Sequence, residues 1–178
     1  MLKTYYHVSM DHKKDIKEFI PRIPKKHASG EDKAQKRICV SDTLEGCIQA
    51  APSIWYYIHD YINTEYFFPY WHMKRLTILL EHNEKVGYLF KVYEFVLEES
   101  QLISPEVLKK NEWVPDAHKT NEHWITKATK PNQSYFILIQ NTREENGEPM
   151  FDYTKYEKNE LGEIENYYER YEKQKDNK

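Results

Sequence analysis

Long apolar runs are missing from this chain. No stretch approaches the ~20 residues that a membrane-crossing helix needs, so no span is expected. Glycine is scarce as well: five in 178 residues leave no Gly-rich phosphate loop and no GxSxG nucleophile elbow. Cysteine and histidine are not grouped at zinc-ligand spacing, so no metal site is expected. The two cysteines, Cys39 and Cys47, sit in one short stretch and read as reduced core thiols rather than a disulfide. Basic charge is not in excess either. The net charge of −3 gives no global attraction to nucleic acid. A local basic stripe (Lys25, Lys26, Lys33, Lys36, Arg37) is diluted by Glu31 and Asp32. The first residues, Met1 to Tyr5, carry no apolar signal region, which points to a cytoplasmic protein.

What is present is aromatic. A mean hydropathy of −0.90 suggests a weak core, but 15% aromatic residues, mostly Tyr, supply surface that fills cores and lines clefts. The length suits one domain, residues 1–178. The organising stretch runs from Arg37 to Ala51. Ile38, Val40 and their neighbours alternate as a short buried strand. Leu44, Cys47, Ile48 and Ala51 then fall on one helical face. Asp42, with Glu45 three residues later, has the form of a capping box between the two halves. Further strands are expected near 2–9, 86–97, 122–127 and 134–140, and residues 73–81 are ambiguous between strand and helix, with Thr77 and Ile78 leaning them to strand. A weak helix is expected over 11–19, stopped by Pro21 and Pro24. Residues 25–36 read as an exposed, mobile loop suited to a lid. Ser104-Pro105 starts a short helix, and Asn146-Gly147 marks a hairpin turn. Residues 53–71 form an aromatic block, and the tail from about 160 to 178 reads as a helical or frayed segment. The expected fold class is α+β: a single domain with a mixed or antiparallel sheet and short helices.

Three short stretches carry the candidate chemistry. Tyr5-Tyr6-His7-Val8-Ser9 puts a histidine on the first strand. Ile38-Cys39-Val40-Ser41-Asp42 is a strand running into a helix. Asn121-Glu122-His123-Trp124 opens a late strand with a glutamate. In that order they resemble the ADP-ribosyltransferase superfamily of diphtheria-type toxins and poly(ADP-ribose) polymerases. The resemblance covers about two-thirds of the chain. It implies an ADP-ribosyltransferase-like fold and NAD as substrate. It also implies His7 and Ser41 as nucleotide-binding residues and Glu122 as the catalytic carboxylate beside an oxocarbenium-like transition state. Where the family has a Tyr that stacks on nicotinamide, this chain has Cys39, and Tyr56, Tyr57 or Trp55 from the aromatic block is the expected substitute ring. The acceptor would be a protein or nucleic acid.

Two other readings come from different classes. A 2H-type phosphoesterase needs two strands of the form H-x-S/T. His7-Val8-Ser9 fits, whereas His123-Trp124-Ile125-Thr126 is one residue too long and turns Thr126 to the opposite face. A non-catalytic interaction protein, of a composition common in bacteriophages and mobile elements, would instead use surface tyrosines and a charged tail to bind a partner.

Overall fold

The computed structural model describes residues 1–11, 14–25, 29–50, 77–81, 84–145 and 148–157. The expectations for the aromatic block at 53–71, including Tyr56, and for the tail lie outside these residues. The described elements are β1 (Leu2–Ser9), β2 (Ile38–Ser41), α1 (Leu44–Ala50), β3 (Thr77–Glu81) and β4 (Glu84–Glu98). After a 3-10 turn come β5 (Leu102–Ile103), α2 (Pro105–Lys110), α3 (Ala117–Thr120), β6 (Glu122–Ile125), β7 (Gln133–Glu145) and β8 (Glu148–Tyr156). Eight strands hydrogen-bond in the order β5-β6-β2-β1-β4-β7-β8, with β3 on β4 off that path. The pairs β1–β2, β2–β6, β3–β4, β5–β6 and β7–β8 are all antiparallel. The class is therefore α+β, an antiparallel sheet with a few short helices.

The chain divides into two compact units. The first comprises Met1–Val8, Asp15–Trp55 and Tyr93–Ser134. Its sheet is covered on both faces, as the alternation in its strands requires. On one face Tyr5, Ile38, Val40, Tyr93, Phe95 and Ile125 pack with Phe19, and Ile16 lies against them. On the other, Trp124 packs with Leu108, Val114 and Ala117 from the helical stretch, with Cys39, Ile103 and Trp113 at the margin. The second unit comprises Ser9–Lys14, Tyr56–Val92 and Tyr135–Lys178. Its β7–β8 hairpin pairs from Phe136 opposite Tyr156 to Glu145 opposite Glu148, with a register shift between Ile139 and Asn141, as the Asn-Gly signal predicts. Leu89, Phe136 and Leu138 form one core cluster in it.

Three local expectations are corrected. Residues 14–18 are not helical. The Ile16 N–H donates to the Tyr93 hydroxyl, and Phe19 exchanges backbone bonds with Thr129 at 2.9 and 3.0 Å, so tertiary contacts take the groups a helix would use. The loop ahead of β2 is also not free: within 29–36, the Asp32 N–H donates to the Trp113 carbonyl at 2.8 Å. Finally, the cap of α1 is Thr43 rather than Asp42. The Gly46 N–H donates to Thr43 Oγ1 at 3.0 Å, the N3-to-cap bond of a regular helix start.

Gly46 shows how tightly α1 is seated. A Cβ placed there would lie 2.2 Å from the Thr120 carbonyl oxygen and 2.4 Å from Ser41 Oγ. Helix propensity alone favours alanine over glycine by about 1 kcal/mol. The contact reverses that sign, because neither the α3 backbone nor the buried Ser41 hydroxyl can withdraw. Gly46→Ala is expected to cost about 2–3 kcal/mol. A thermal melt should show Tm lowered by roughly 4–12 °C, and an unchanged or raised Tm would contradict this packing.

Candidate functional site

The three motif strands are neighbours. β2 lies between β1 and β6, with Tyr6 opposite Ser41 and Ser41 opposite Glu122. Cys39 is opposite Trp124 and Val40 opposite His123. Directly opposed residues in an antiparallel pair share a face, and successive residues alternate. Tyr6, Cys39, Ser41, Glu122 and Trp124 therefore project from one face; Tyr5, His7, Val40 and His123 project from the other. Ring contacts agree. His7 meets Phe19 at 5.0 Å and Tyr93 at 6.4 Å, and Tyr5 meets His123 edge-on at 5.0 Å. The structure thus brings Ser41 and Glu122 together and does not bring His7 to them.

Glu122 is only 6% exposed. Its Oε1 accepts from the Trp124 indole N–H at 2.7 Å, and the Cys39 thiol interacts with the same carboxyl. Burial raises the carboxyl above its ordinary range, more than the indole, the thiol and the Arg37 charge pull it down. Ser41 is equally enclosed. Its hydroxyl donates to the Thr120 carbonyl at 2.8 Å and accepts from the Thr43 N–H at 3.3 Å. Both groups have their partners inside the chain.

On the opposite face, the His7 Nδ1–H donates to the Cys39 carbonyl at 2.9 Å. Burial and then the nearby Arg22 charge lower its pKa against the influence of that bond, so the ring is neutral at pH 7. The His123 Nδ1–H donates to the Asn121 carbonyl at 2.7 Å. Asn121 itself has φ of +48°, a left-handed helix stop that asparagine tolerates better than most residues. His7 and His123 share a face, which a phosphoesterase pair would require. Two residues beyond His123 on that face, however, stands the buried Ile125 rather than a hydroxyl. Among the described residues, no group of three His, Cys, Asp or Glu is placed to hold a metal, and no helix is long and apolar enough to cross a membrane.

The residue that sequence reasoning missed is Arg37. By sequence it joins a local basic stripe, but its side chain is fully buried. The guanidinium lies 4.2 Å from the centre of the Trp124 ring, a cation–π distance, and Trp113 stacks on Trp124 at 5.6 Å and 6°. Its Nη atoms donate to the Asp32 and Gln35 carbonyls and to Glu31 Oε2, at 3.0, 3.2 and 3.4 Å. The acidic pair Glu31 and Asp32, just upstream, was the available signal.

Comparison with protein-family models, with curated proteins and with solved structures returned no match.

Two outcomes follow from this geometry. Both cysteines are free and half-buried rather than fully buried. Burial pushes Cys47 up to about 12 and Cys39 well above the usual thiol value. The thiolate is the reactive form. Labelling of the native protein at pH 7.5 (roughly one unit below a free thiol's pKa) should therefore be far slower than labelling in denaturant. Rapid native labelling would contradict the enclosure. The second outcome concerns Glu122, whose raised pKa means that the folded chain holds its proton more tightly than the unfolded one. Its contribution is fully present below the ordinary carboxylate range and is lost as pH rises through the raised value. Glu122→Gln keeps an oxygen for the Trp124 indole and removes that titration. Denaturant melts across pH should show the variant at least as stable as the parent at neutral pH, with a flatter profile above the ordinary carboxylate range. A loss of more than about 1 kcal/mol there would count against it.

Proposed function

We propose that this chain is a non-catalytic relative of the ADP-ribosyltransferases, one that keeps the order of the motif strands and works by binding a protein partner. The relationship draws support from the adjacency of β1, β2 and β6, with Ser41 directly opposite Glu122 and α1 leaving at that end. One observation carries the loss of chemistry: His7 and Glu122 leave the sheet on opposite faces, so one bound nucleotide cannot meet both. Three further features agree with it. The Glu122 carboxyl is engaged by Trp124 and Cys39, the Ser41 hydroxyl by Thr120 and Thr43, and the position of the family's stacking Tyr holds the half-buried Cys39. A catalytic carboxylate must be ionised and directed at charge that develops on the substrate. A buried carboxyl with a raised pKa and internal partners is suited to packing instead.

The test is calorimetry with NAD, together with an assay for nicotinamide release. The expected result is no saturable heat at millimolar NAD and no release above that of Glu122→Gln. Nicotinamide release that Glu122→Gln abolishes, with folding unchanged, would overturn the proposal and restore the enzyme reading with Glu122 as its carboxylate.

A further inference from the structure

The segment from Phe19 to Lys25 presents an unusual surface. Phe19 is buried in the core, yet Ile20 and Ile23 are 62% and 43% exposed. Single exposed apolar residues are ordinary. These two differ in being held rigidly. Phe19 exchanges two backbone hydrogen bonds with Thr129, and Arg22 exchanges two with Arg37 at 3.2 and 3.1 Å. Pro21 and Pro24 restrict the backbone around each isoleucine further. An apolar pair presented this way loses little conformational freedom when a partner covers it.

The surroundings are basic although the chain is acidic overall. Arg22 and Lys25 lie on the segment itself and Lys17 just before it; Lys36, Lys127 and Lys130 flank its two bridging partners, and all six are exposed. The segment holds no carboxylate; those just before it are Asp15, which pairs with Lys17, and Glu18. Farther along, Glu31 is turned toward the buried Arg37. Apolar anchors within a cationic rim are complementary to a segment that carries both apolar and acidic side chains.

We infer that the Ile20–Ile23 surface is the docking site for an acidic, leucine- or isoleucine-bearing segment of another protein. The isoleucines act as anchors, and Arg22 with the surrounding lysines provides orientation and speeds encounter. This gives the binding reading a surface and rests on it, but the two fail separately. Nicotinamide release would remove the non-catalytic assignment and leave peptide binding untouched.

The experiment uses the full chain and a fluorescein-labelled synthetic peptide in which aspartate and glutamate alternate with leucine, followed by fluorescence anisotropy. Saturable binding is expected, weakening as salt rises. Ile20→Ser with Ile23→Ser should weaken it by about tenfold or more, and so should Arg22→Glu alone, with circular dichroism and Tm unchanged. A peptide with its acids replaced by amides should not bind. Absence of saturable binding, or binding indifferent to these variants, would overturn the inference. So would retention of anionic lipid vesicles or single-stranded DNA in preference to the peptide, which would assign the surface to a different class of partner.

Discussion

Much of the first unit depends on a buried charge. A guanidinium removed from water is costly unless its donors are met, and loss of one partner leaves that cost uncompensated. Arg37 meets most of that requirement by drawing the preceding chain around itself: the carbonyls of Asp32 and Gln35 and the carboxylate of Glu31 converge on its Nη atoms, while its flat side lies on Trp124 and Nε stays buried without a hydrogen-bond partner among the described residues. This arrangement turns a polar stretch into fixed structure at the entrance to β2. Trp124 in turn is fastened by its own indole bond to Glu122 and by the stack with Trp113, so the charge, the aromatic pair and the carboxyl form one connected group.

That connection explains why residues with a catalytic look serve the core. Glu122 stands two residues before Trp124 on the same strand face, where its carboxyl reaches the indole, and Cys39 comes from the strand alongside. Ser41 ties β2 to the end of α3 through Thr120, and Gly46 lets α1 approach that same point. A polar group given an internal partner is held in place and withdrawn from substrates by the same bond. The opposite face keeps two histidines, each with Nδ1 committed to a backbone carbonyl.

Much of the architecture was legible because it rests on local signals. Alternating faces located β1 and β2, and a β-branched and aromatic run located β4; proline after serine located α2; Asn-Gly located the β7–β8 hairpin. The faces of β1 were also readable, with Tyr5 and His7 opposed to Tyr6. What could not be read was which face of β1 joins which face of β6, since that depends on registers across β2 and on nothing within either stretch. The motif order therefore suggested a meeting of His7 and Glu122 that pairing geometry does not produce. Arg37 was misread for a related reason: charge alone assigns an arginine to solvent, and only tertiary structure shows that Trp124 and two carbonyls lie within its reach. Thr43 displaced Asp42 as cap because its hydroxyl stands one residue closer to the first turn, a difference that the composition of the stretch leaves open.

The interleaving of the two units has a consequence for dissection. Each is assembled from three separated segments, and β4 passes from one to the other at Val92–Tyr93. No single cut in the chain yields either unit whole, and no contiguous fragment can be expressed that contains one without part of the other. Synthesis meets the same constraint. β1 can find β2 early, but β6, the other neighbour of β2, follows some 80 residues after it, beyond residues that belong to the second unit. The order in which the ribosome releases the strands is thus not the order in which they pair, and β2 must wait for a neighbour made long after it.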